Sequence, residues 1–76
     1  MLNKGNRVIL ITQVHGNSPS NPVDGGEYAC EGSVVQINKL KEPSHFNVTV
    51  DWDNGCSNVY AEENLEAVNV EYKTIW

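Results

Sequence analysis

The sequence predicts an all-β domain: a small five-stranded half-open barrel with one short helical turn before the last strand. Three observations predict it. Apolar residues come in short, β-branched runs that alternate with polar ones. Clusters of Gly, Pro, Asn and Asp separate those runs. Residues 46–60, FNVTVDWDNGCSNVY, carry a hairpin signature.

Taken in order, residues 2–6 form a short lead-in with a turn at Gly5. Residues 7–12, RVILIT, read as the first strand, and Arg7 on one face makes Val8 and Leu10 the core pair. Residues 13–31 are the least regular part. His15-Gly16-Asn17-Ser18-Pro19-Ser20-Asn21-Pro22 is dense in turn formers, and Asp24-Gly25-Gly26 is a second turn. The prolines imply a shaped loop, with Tyr28 pinning it to the body. Residues 32–38 read as the second strand. Gly32 at its start marks a bulge or a close backbone approach. Residues 39–45 are polar, contain Pro43 and connect to the hairpin.

In the hairpin, Val48, Val50 and Trp52 alternate with Asn47, Thr49 and Asp51. Asn54 and Gly55 suit a two-residue type I′ turn, in which both take positive φ. That loop sets Trp52 opposite Ser57, Asp51 opposite Asn58, Val50 opposite Val59 and Thr49 opposite Tyr60. Val48, Val50, Trp52, Val59 and Ala61 then share the core face, while Thr49, Asp51, Asn58 and Tyr60 share the outer one. A three-residue loop with a bulge would shift the pairing. Residues 61–65 make one helical turn with Glu62 and Glu63 near its start, and Leu65 caps the core. Residues 66–72 form the fifth strand, with Val68, Val70 and Tyr72 on one side. The expected organisation is one domain over residues 1–76, with its core in 5–72 and a tail at 73–76.

Seventy-six residues bury only a small core and leave little room for a deep, dry active site. The net charge of −5, with Lys4, Arg7, Lys39, Lys41 and Lys73 scattered, disfavours direct nucleic-acid binding. Cys30 and Cys56 start strands that flank a third, roughly 10 Å apart, too far for a disulfide. Two free thiols and a reducing, cytoplasmic setting are expected. Residues 1–12 lack the long apolar stretch and small-residue cleavage site of a signal peptide, and no apolar run is long enough to span a membrane, so a soluble intracellular chain is expected.

The chain resembles the Src-homology-3-like (SH3-like) barrels, and among them the domain shared by the mind-bomb and HERC ubiquitin ligases. The residues that carry this are Gly5-x-Arg7-Val8, Asp24-Gly25-Gly26 followed by Gly32-Ser33-Val34-Val35-x-Ile37, and Val48-x-Val50-x-Trp52-Asp53-x-Gly55, continuing through Asn58-x-Tyr60 to Leu65. It is also similar to small proteins of tailed bacteriophages and bacteria that pair an Asn-Ser-Pro-Ser-Asn-Pro-type loop with a Trp-Asp-Asn-Gly hairpin. The first resemblance implies peptide recognition. The second implies a phage-encoded protein acting on a host protein in the host cytoplasm. Two departures fall where a ligand would touch. The ligase domain has tryptophans where this chain has Ser18-Pro19-Ser20-Asn21-Pro22, and an Arg/Gly segment where it has Ala61-Glu62-Glu63-Asn64.

Two candidate sites follow. One is the outer hairpin face with Asp51, Asn58 and Tyr60; its bland counterpart is an ordinary wet surface. The other is the loop, with His15, Asn17 and Tyr28; its bland counterpart is a strand connection stiffened by proline. Both would bind a protein or peptide. No cofactor or metal is expected. Asp51-Trp52-Asp53-Asn54-Gly55 lacks the spacing of a calcium loop, and Cys30, Cys56, His15 and His45 lack zinc-ligand spacing. There is no nucleophile elbow and no phosphate-cradling glycine loop, so no enzyme is expected. The expected function is a non-enzymatic binding module. The alternatives are a nucleic-acid-associated barrel and a self-assembling structural component. Trp76 either folds back or meets a second subunit.

Overall fold

The computed structural model describes residues 2–38 and 47–68. The chain is all-β, and its described residues form five strands in one antiparallel sheet: β1 (Arg7–Leu10), β2 (Gly32–Ile37), β3 (Val48–Trp52), β4 (Ser57–Tyr60) and β5 (Leu65–Ala67). A 3₁₀ turn, Glu62–Asn64, links β4 to β5. The sheet order is β4-β3-β2-β1-β5, so β4 and β5 are the edges of a half-open barrel. Phe46, Val70, Tyr72 and the tail to Trp76 lie outside the described residues.

Alternation explains the core. Val8 and Leu10 on β1, Val34 on β2, and Val48, Val50 and Trp52 on β3 all point inward and are buried. Leu65 closes one end. Leu2 joins the core rather than forming a mere lead-in, because its backbone N–H donates to Glu62 Oε2 at 2.7 Å. Pro22 and Val23 of the loop are buried too. Val23 bridges Leu10 in parallel, and the Asp24 N–H reaches the Leu10 carbonyl at 2.8 Å. The loop thus continues the sheet where β2 and β1 part.

Gly32 is the close approach that its place in the sequence predicts. A Cβ there would lie 2.6 Å from Trp52 Cε3 and 2.8 Å from the Asp51 carbonyl oxygen, and that oxygen belongs to backbone. Glycine lets β2 and β3 pass with the indole packed between. The register shift in that pair comes later, between Val34 and Gln36.

The hairpin differs from expectation by one residue. Gly55 has φ of 94°, but Asn54 does not have positive φ, so the type I′ turn is ruled out. The Gly55 N–H bonds the Trp52 carbonyl at 3.0 Å and the Trp52 N–H bonds the Cys56 carbonyl at 2.7 Å. This is a type I turn followed by a left-handed glycine, a three-residue loop with a G1 bulge. The pairs are Val48 with Tyr60, Thr49 with Val59, Val50 with Asn58 and Asp51 with Ser57. A one-residue slip sends every β4 side chain to the other face. Tyr60 is therefore buried, 1% exposed, and Val59 is outside at 38%. Trp52 is inside, as expected, at 3%.

Candidate functional site

The buried Tyr60 becomes the centre of a clamp between the hairpin and the loop. A phenol placed in a core needs partners for its hydroxyl. Here the hydroxyl accepts the Trp52 indole N–H at 3.1 Å. It donates toward the Ser20 carbonyl and Asn21 Oδ1, both at 2.8 Å. The two rings meet edge to face, with centroids 5.8 Å apart. Burial pushes the Tyr60 hydroxyl above the usual phenol range, against the pull of its bonds to Trp52 and Asn58.

Three further side chains complete the clamp. Asn58 Nδ2 donates to the Ser20 carbonyl at 3.3 Å and to Asn21 Oδ1 at 3.0 Å. Asn54 Nδ2 donates to the Pro19 carbonyl at 2.7 Å. His15 packs edge-on against the Tyr60 ring at 5.4 Å, and its Nε2 lies 3.0 Å from Asn64 Oδ1. Asn21 Nδ2 reaches back to the His15 carbonyl at 3.1 Å. The loop apex itself is a tight turn in which Ser18 and Asn21 exchange both backbone bonds. Pro19 fits such a turn because its φ is already set.

The predicted site residues divide accordingly. His15, Asn58 and Tyr60 come together, but facing the loop and not solvent. Asp51 is exposed on the opposite side of the hairpin, so the outer patch of Asp51, Asn58 and Tyr60 does not exist as one surface. Asn17 is exposed and its carboxamide overlies Gly26, where a Cβ would stand 2.9 Å from Asn17 Oδ1. Tyr28 is 39% exposed, and the pinning assigned to it is performed by Tyr60, Asn58 and Asn54.

The other face of β1 carries a feature the residue pattern did not announce. Ile9, Asp24, Ala29, Cys30, Glu31 and Asp53 line an open cleft of about 530 Å³. Arg7 stands beside it. Its guanidinium donates to Ser33 Oγ at 2.8 Å and Asp53 Oδ1 at 3.0 Å, and pairs with Glu31 at 3.3 Å and with Asp53 Oδ2. Hydrogen bonding to Arg7 holds the Asp53 carboxyl below the usual range, and Asp53 in turn raises Arg7. Cys30 and Cys56 are free and half-buried. Among the described residues no group of three His, Cys, Asp or Glu is disposed to hold a metal ion, and no helix is long and apolar enough to cross a membrane.

The chain matches no family model, no curated protein and no solved structure.

Proposed function

We propose that this chain is a non-enzymatic binding module of SH3-like architecture that takes a protein or peptide segment in the cleft between β1 and the loop. The observation that supports this most is the cleft itself, set beside a loop already held in one arrangement. A preorganised loop loses little further entropy when a ligand arrives. Ile9 and Ala29 offer apolar floor, while Asp24, Glu31 and Asp53 outnumber Arg7, the cation beside them among the described residues. A segment with an apolar side chain next to a Lys or Arg complements that lining. The phage resemblance makes a host protein the natural source of such a segment, and the acidic balance of the chain supports a cytoplasmic protein partner over nucleic acid.

Panning a random peptide library against the wild-type protein tests this. Enriched peptides are expected to combine Lys or Arg with an apolar residue. They should lose binding to an Ala29→Arg variant that fills the cleft and weakens its negative charge. Failure to enrich any peptide, or undiminished binding to that variant, would reject the cleft as the site.

A further inference from the structure

Asn54 and Gly55 form the single Asn-Gly pair in the sequence. Beyond making a turn, this pair has its own chemistry. The backbone nitrogen of a glycine is unhindered, and it attacks the Cγ carbon of the asparagine before it. A bond forms between Gly55 N and Asn54 Cγ, the Cγ–Nδ2 bond breaks, and the Gly55 amide proton leaves with the departing ammonia. Water then opens the resulting succinimide at either carbonyl, giving aspartate or isoaspartate. No oxidant or reductant takes part.

The fold engages every group in that reaction. The nucleophile, the Gly55 N–H, is bonded to the Trp52 carbonyl at 3.0 Å. The carboxamide is held at both ends, Oδ1 by the Cys56 N–H at 2.9 Å and Nδ2 by the Pro19 carbonyl at 2.7 Å. To react, Asn54 must release these bonds and turn its Cγ over the Gly55 nitrogen. The product then reverses one of them. A carboxylate oxygen in place of Nδ2 sets acceptor against acceptor at the Pro19 carbonyl, a contact that repels. In the aspartate product the Cys56 N–H keeps its acceptor, so the hairpin turn survives while the loop apex loses a tether; in the isoaspartate product the main chain gains a methylene in the turn as well.

We propose that Asn54 is a deamidation site that the native fold holds back, and that its reaction removes the tether between the hairpin turn and Pro19 at the apex of the loop. The modification would loosen the apex, which Asn58 and Tyr60 still hold, without dissolving the sheet. It would also mark molecules that have spent time unfolded.

Two measurements test this. The wild-type chain is incubated at pH 8.5 in native buffer and in guanidinium chloride, and the one-dalton mass gain at Asn54 is followed by peptide mapping. Deamidation in the folded chain should be at least about fivefold slower, the factor that one retained hydrogen bond of ordinary strength supplies. Equal rates would overturn the protection. Amide exchange is then compared between wild type and Asn54→Asp. Ser18 and Asn21 should exchange several-fold faster in the variant, with Val48 and Val50 unchanged. Unaltered exchange at the apex, or loss of protection throughout the sheet, would overturn the loosening. The first measurement needs no variant and stands however Asn54→Asp folds.

Discussion

Two of the ties between the loop over residues 13–31 and the sheet, besides its backbone bridge to Leu10, differ in kind. At its apex, Pro19, Ser20 and Asn21 are held by Asn54, Asn58 and Tyr60 through neutral hydrogen bonds, the central hydroxyl being buried. At its end, Glu31 is held by Arg7 in a half-exposed cluster of charges that also includes Asp53. Neutral groups removed from water lose heavily when a partner is deleted, because the survivor stays buried and unpaired. Exposed ions fall back on water and salt. The apex tie should therefore dominate stability, and the Arg7 tie should respond to conditions.

Removing the Tyr60 side chain separates the two most sharply. Tyr60→Ala should cost about 3–5 kcal/mol, the usual range for deleting a buried aromatic ring. Chemical denaturation checks this, and a loss under about 1 kcal/mol would mean the ring is not in the core. Asn58→Ala should cost about 1 kcal/mol, as expected for hydrogen bonds part-buried at one residue. That loss should persist in molar salt.

Arg7→Gln should cost less than either, and its effect should shrink as salt is added. A loss equal to that of Asn58→Ala, insensitive to salt, would erase the distinction between the ties. Acid sharpens the same point. The folded state lowers the Asp53 pKa, so this pair stabilises the protein fully above the ordinary carboxylate value of about 3.9. The contribution disappears as pH falls through the lowered folded value. The gap in melting temperature between wild type and Arg7→Gln should thus narrow below about pH 4. A gap that stays constant from pH 7 to pH 3 would contradict the pairing.

Much of the fold was legible because it depends on period. Val8 with Leu10 and Val48 with Val50 and Trp52 are inside as their alternation requires, and Gly32 is where a side chain would strike backbone. Register was less legible. Asn54-Gly55 serves a type I′ turn and a type I turn with a G1 bulge equally well, since glycine supplies the positive φ that both need. What decides between them is tertiary: Asn54 spends its carboxamide on Cys56 and on Pro19, a residue 35 positions away. The clamp was hidden for the same reason. Asn21, Asn54 and Asn58 read locally as turn or strand-face residues, and nothing in their spacing says that they meet. One signal was present. Tyr60 follows Val59 in β4, so apolar residues occupy both faces there, and the bulkier ring had the better claim on the core. The cleft was not legible at all, because Ile9, the loop residues Asp24 and Ala29, and Asp53 come from three separate stretches.

The most direct test is amide exchange in Tyr60→Phe, which keeps the ring and removes only the oxygen. Loss of that oxygen frees the Trp52 indole N–H and leaves Asn58 as the remaining hairpin side chain bonded to Ser20 and Asn21. The clamp predicts faster exchange at Ser18 and Asn21, with Val48 and Val50 in β3 still protected. Unchanged exchange at Ser18 and Asn21 would contradict it and return Tyr60 to the outer face.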